Sequence, residues 1–97
     1  MSALTLRPAA AAEVEDAYSW YEEKHPGLGE EFLLALRAVL EDIRENPQRY
    51  PVLHRDIRRA LLRRFPYGVH YRLLPGRIVV VACFHSHRDP RRWRSRS

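Results

Sequence analysis

The sequence predicts an α+β fold in a single domain: an N-terminal strand, a two-helix antiparallel hairpin, then a three-stranded antiparallel meander. Three observations carry this expectation. Apolar residues recur at helical spacing between residues 9 and 46, the period changes to two from residue 57, and clusters of turn formers punctuate the joints. At 97 residues the chain can build one modest core. One domain over residues 1–97 is therefore expected, with a basic tail from about residue 88.

The first element is "ALTLR", residues 3–7, a short strand closed by Pro8. Proline fits the first turn of a helix, where an N–H would have no partner. "AAAAEVEDAYSWYEEK" follows as helix. Val14, Ala17, Tyr18 and Tyr21 fall at i, i+3, i+4 and i+7, and Glu13, Glu15, Asp16, Glu22 and Glu23 take the other faces. "HPGLG", residues 25–29, is a break and restart. In "EEFLLALRAVLEDIREN" the residues Phe32, Leu36, Val39, Leu40 and Ile43 form one apolar stripe, and Pro47 ends the helix by forcing its predecessor out of helical geometry. The short joint makes the two helices an antiparallel hairpin. Leu34 lies nearly opposite the second stripe, and Trp20 sits at the edge of the first. They are either ordinary exposed apolar residues or, together, a groove for a partner.

"IRRALLRRF", "YGVHYRLL" and "RIVVVACFH" read as three strands. "LPGR" is the hairpin turn between the last two, with Gly76 accepting a positive φ. Pairing Leu74 with Arg77 places Val69, Tyr71 and Leu73 beside Ile78, Val80, Ala82 and Phe84 on the face toward the helices. The opposite face then carries His70, Arg72, Val79, Val81, Cys83 and His85, a mixture that suits a covering better than open solvent.

Charge divides the chain. Residues 1–50 hold five Lys or Arg against ten Asp or Glu, and residues 51–97 hold twelve Arg against two Asp. The second half, at net +10, attracts a polyanion or an acidic protein, and arginine grips carboxylates and phosphates in a bidentate fork. No apolar run approaches the roughly 20 residues of a membrane span. The N-terminus lacks a signal-peptide layout, so a cytoplasmic protein with no membrane partner is expected. The single Cys83 reads as core filler in "VVVACF".

"HSHRDPRRW", residues 85–93, is the densest chemistry. A metal site from His70, His85 and His87 is disfavoured by the arginine-crowded surface, and no metal or other cofactor is expected. Metal-free RNA cleavage needs a base, an acid and cations around the phosphate, roles open to His85, His87, Arg72 and Arg88. A non-catalytic reading ties Arg88, Asp89 and Arg91 to neighbouring charges and folds Trp93 back on the domain.

Order and motifs together resemble the toxins of RelE/ParE type toxin–antitoxin systems, over about residues 4 to 93. The pieces that carry the likeness are "AYSWYEEKHPGLGEEF", "NPQRYPVLHRDIRRALLRRFPYGVHYRL" and "HSHRDPRRW". RelE-like toxins cleave messenger RNA on the ribosome, and ParE-like toxins inhibit DNA gyrase by binding. The RelE pattern carries an arginine after the central-strand tyrosine, where this chain has Gly68 after Tyr67, and a late tyrosine, which is absent here. Arg88 matches a second functional arginine. The resemblance is therefore closer to ParE. It implies a gyrase-inhibiting toxin with no favoured catalytic residue, and the alternative is a ribosome-dependent mRNA endoribonuclease using His85, His87 and Arg88. It also implies an antitoxin partner in a hetero-oligomeric complex, with operator DNA reached only through that antitoxin. On electrostatics the target-binding candidates are Arg63, Arg64, Arg72, Arg88, Arg91 and Arg92. The antitoxin-binding candidates are Trp20, Leu34, Arg72, Val79 and Val81.

Overall fold

Why the helices meet as they do is settled at their joint. The computed structural model describes residues 3–86, and within them β1 (Ala3–Leu6) leads through Arg7 into α1 (Pro8–Lys24) and α2 (Leu28–Glu45). Gly27 opens α2 at φ 90°, without a side-chain cap of its own. Instead Glu22 of α1 accepts the N–H groups of Gly27 at 3.0 Å and Gly29 at 2.9 Å. These are donors that the start of a helix leaves unpaired. A Cβ on Gly29 would come within 2.8 Å of both Tyr18 and Glu22, so only glycine allows this approach of the helices. Tyr18 bridges the same joint by donating to Glu30 at 3.3 Å.

Both helices lay apolar stripes on one sheet. Phe32, Leu36, Val39 and Ile43 of α2 are buried and Leu40 partly so, as the spacing predicts. From α1 the core takes Ala10, Ala17 and Tyr21, with Val14 packed at its edge. Tyr21, Phe32, Phe65 and Tyr67 form an aromatic cluster with ring centroids 5.0–6.0 Å apart. No described helix is long and apolar enough to cross a membrane.

The sheet corrects the expected three-stranded meander. Among the described residues it has five strands in mixed orientation, ordered β1-β5-β4-β3-β2, with β2 (Val52–His54), β3 (Ile57–Leu61), β4 (Tyr67–Leu74) and β5 (Arg77–His85). β1 pairs parallel to β5, with Ala3 opposite Arg77 and Leu6 opposite Val80. Alternation along a strand shows which residues share a face, not which strand lies alongside. β2, at three residues, is too short to show a period at all. The first strand expected from the arginine-rich run ends at Leu61, and three residues on Arg64 takes a left-handed φ of 69°.

A bulge in β5 overturns the expected faces beyond Val80. Leu74 does pair with Arg77, and Tyr71 with Val80, but His70 pairs with Ala82, leaving Val81 as an extra residue. An inserted residue exchanges inward and outward positions after it. Val69, Tyr71, Leu73, Ile78 and Val80 face the helices as expected. Cys83 joins them, whereas Ala82 and Phe84 pack with Ile57, Val79 and Val81 on the outer face.

Candidate functional site

Among the described residues, one concave surface beside the helical hairpin holds Trp20 and His85, and another holds Leu34, Arg63 and Arg64. The first is a cleft of about 490 Å³ between α1 and the end of β5, lined by Glu13, Asp16, Trp20, Tyr67, Cys83 and His85, among others. The bulge brings His85 here, onto the helix side, where its ring lies 5.4 Å from that of Tyr67. Glu13 reaches across from α1 and accepts the backbone N–H of Cys83 at 3.0 Å. Burial, with the Glu13 carboxylate adding to it, pushes the Cys83 thiol up to about 12, so it stays a neutral thiol. Trp20 is exposed at the rim, with the Lys24 ammonium 4.8 Å from its ring centre.

This placement separates groups that the sequence set side by side. His70 is buried on the outer face, 5.8 Å from the ring of Phe84, while His85 lies across the sheet from it. The three-histidine set is thus not assembled from His70 and His85. Among the described residues no group of three His, Cys, Asp or Glu is placed to hold a metal ion. Arg72 also lies on the outer side, half-buried, with Nε and Nη2 each 3.0 Å from Asp56 Oδ2. The described lining of the His85 cleft holds two carboxylates and no arginine. His87, Arg88, Arg91, Arg92 and Trp93 lie outside the described residues.

The second surface is a groove of about 570 Å³ between α2 and the chain around β3. Its α2 wall is a second helical stripe, Glu31, Leu34, Ala35, Ala38 and Asp42, turned away from the core stripe. Leu61, Arg63 and Arg64 form the opposite wall. Leu34 is 61% exposed and Leu61 52%. One end is closed by Arg64, whose guanidinium lies 2.7 Å from Glu31. The other end is closed by a network on Asp42, which accepts from the Tyr50 hydroxyl and from Arg49 at 3.1 Å. The Tyr50 hydrogen bond, helped by Arg49, holds the Asp42 carboxyl below its ordinary range despite some burial. The loop carrying Arg49 and Tyr50 is itself held from beneath. Tyr71 donates to the Pro47 carbonyl at 2.7 Å, and Arg58 donates to those of Gln48 and Tyr50 at 3.1 and 2.6 Å.

Leu34, Arg63 and Arg64 therefore share one groove, while Trp20 stands apart at the other cleft. Val79 and Val81 are buried and offer no open surface. Sequence reasoning missed Leu61, Arg49, Tyr50 and Asp42. The repeat at positions 31, 34, 35, 38 and 42 was the signal for one wall, and nothing local in the sequence announces the other.

The sequence matches over residues 4–90 the family described as the ParE toxin of the type II toxin–antitoxin system parDE. The chain belongs to the ParE toxin family. Among solved structures this ParE-family chain is similar to one from the chromosomal ParDE TA system of P. aeruginosa. The TM-score is 0.78 at 17% identity, with 88% of this chain and 96% of that chain covered, a likeness of fold. No curated protein matches the sequence. The match runs through β4, which carries Gly68. A Cβ there would lie 3.2 Å from the Arg59 stem and 3.3 Å from Leu61, so the neighbouring strand has closed over the position.

Proposed function

We propose that this ParE-family chain is a cytoplasmic toxin that inhibits DNA gyrase by binding it, and that an antitoxin silences it in a hetero-oligomeric complex. The observation that carries the non-catalytic reading is the location of His85. It stands in a cleft with Glu13 and Asp16, across the sheet from Arg72. Among the described residues that cleft holds two carboxylates and no arginine, whereas phosphodiester cleavage needs a cationic surround. Gly68, packed under Arg59, supports the same reading.

Target contacts fall to Arg63 and Arg64, exposed at the turn after β3, and to Arg72, together with Arg88, Arg91 and Arg92 beyond the described residues. The antitoxin takes Trp20, Leu34 and Arg72, and reaches operator DNA on the complex's behalf. Val79 and Val81 contribute from inside the sheet, by shaping the outer face.

Purified chain is expected to block gyrase supercoiling, or to trap cleaved DNA, while ribosome-bound mRNA stays intact. His85→Ala should leave the gyrase effect in place. Codon-spaced mRNA cuts that disappear in His85→Ala, with gyrase unaffected by the wild type, would replace this reading with the ribosome-dependent endoribonuclease.

A further inference from the structure

We infer that the outer face of the sheet is covered by this chain's own residues 87–97, with Trp93 seated on the apolar cluster of Ile57, Val79, Val81 and Phe84. The burial of that face comes first. Ile57 and Val81 are 0% exposed, Phe84 2% and Val79 6%, all within the one chain. Neighbours within a sheet shield the flanks of a side chain, but its tip stays open unless a second layer packs about 10 Å away. The helices are not that layer, because the outer cluster takes no residue from α1 or α2. The arginine stems on the same face are engaged within it, Arg59 along Gly68 and Arg72 at Asp56.

Position and reach select the occupant. Leu4 and Leu6 of β1 pack on the helix-side core, and the alternate Ala3 and Thr5 are exposed. The cover therefore lies over β5, β4 and β3 and does not arrive from residues 1–2, at the β1 edge. At the other end of the chain, Ser86 donates its N–H to the Pro66 carbonyl at 2.6 Å, beside the start of β4 and two residues from Phe84. From Phe84 back to Val79 is about 17 Å of strand, and Ile57 lies two strands over, about 10 Å to the side. Trp93, seven residues beyond Ser86, has a reach of up to about 24 Å, enough for the centre of that cluster.

Composition says how such a segment is held. "HRDPRRWRSRS" has one large apolar side chain, Trp93, and five arginines. The indole gains most by burial, and the guanidinium groups keep their charge in water. β5 already pairs with β1 on one side and β4 on the other, so the segment cannot continue as a further strand beside it. Pro90 favours an extended Asp89, which suits a strap laid over the strands. Carried this way, Arg88, Arg91 and Arg92 join Arg72 on one face, and the cations assigned to the target form a single fixed surface. Only that use of the surface rests on the toxin reading; the strap itself does not.

The test follows Trp93 in the full chain. Trp20, the other tryptophan, is exposed, so Trp20→Phe leaves Trp93 as sole reporter without disturbing the core. Its emission in the native chain should be blue-shifted, shielded from acrylamide and unchanged on dilution, and should move to the red in urea. Trp93→Ala, with Trp20 retained, should lower the melting temperature by roughly 12 °C or more, the loss for a buried tryptophan in a domain of this length. Combined with Phe84→Leu, across the contact, the two losses should fall short of their sum. Combined with Phe32→Leu, on the helix side, they should add. A native Trp93 quenched as freely as in urea overturns the strap. Full additivity with Phe84→Leu overturns it as well, by placing the indole elsewhere. Emission that reddens on dilution would mean that a second copy supplies the cover, and also overturns it. None of these results bears on the gyrase assay, so the strap can fail while the toxin reading stands.

Discussion

Phe32→Ala tests the packing logic at its centre. Phe32 is 0% exposed and its ring meets Tyr21, Phe65 and Tyr67 at 5.5, 5.5 and 5.2 Å. Truncating a buried Phe to Ala costs about 3–5 kcal/mol in lost transfer energy and cavity. Each aromatic pair is worth about 0.5–1.5 kcal/mol beyond its area. These values overlap, so the upper half of the range, about 4 kcal/mol, is expected. A chain of this size is stable by about 5–15 kcal/mol, so the variant loses a large fraction of its margin. At about 4–8 °C per kcal/mol for a domain of this length, the melting temperature should fall by roughly 15–30 °C. Urea unfolding followed by tryptophan fluorescence measures the difference directly, and Phe32→Leu, which keeps most of the volume, should cost about 1 kcal/mol. A loss below about 1.5 kcal/mol for Phe32→Ala at unchanged m-value would mean that the four rings are not one packed unit.

Gly29→Ala forces a methyl against Tyr18 and Glu22 and should destabilise the hairpin by about 1–3 kcal/mol, read by the same urea titration; a neutral result would refute the close approach. Cys83 should resist a thiol reagent at pH 8 until the chain is unfolded, because its thiol is pushed up to about 12; rapid labelling of the native protein would contradict its burial. Asp42 has a depressed carboxyl pKa in the fold, so its stabilisation is fully present above the ordinary aspartate value of 3.8 and is lost as pH falls through the lower folded value. The stability gap between wild type and Asp42→Asn should therefore be larger at pH 6 than at pH 3, and a pH-independent gap would show that the Tyr50 and Arg49 contacts do not select the ionised form.

The helices were legible because their signal is local. A stripe such as Phe32, Leu36, Val39 and Ile43 repeats within one element, and the core used it as written. The β4–β5 hairpin was equally legible up to Val80, where the turn fixes the register. Past that point one bulged residue moved Cys83 and His85 to the helix side, and no residue type in "VVVACF" marks the insertion. The candidate site was read in fragments for a similar reason. Leu34, Arg63 and Arg64 were each picked out on charge or exposure, but their meeting in one groove depends on how α2 lies against β3. Leu61 reads as an ordinary strand residue, and only the tertiary structure makes it a wall.

The parallel pairing of β1 with β5 sets the order in which this molecule can be assembled. The hairpins α1–α2 and β4–β5 join neighbours in sequence and close small loops, whereas Ala3 meets Arg77 only after most of the chain has been drawn together. Such a long-range pairing carries the largest closure entropy in the sheet and delays completion of the native topology. Until it forms, the inner strand β5 has one flank open, and the half-built sheet offers an edge to which other chains can add.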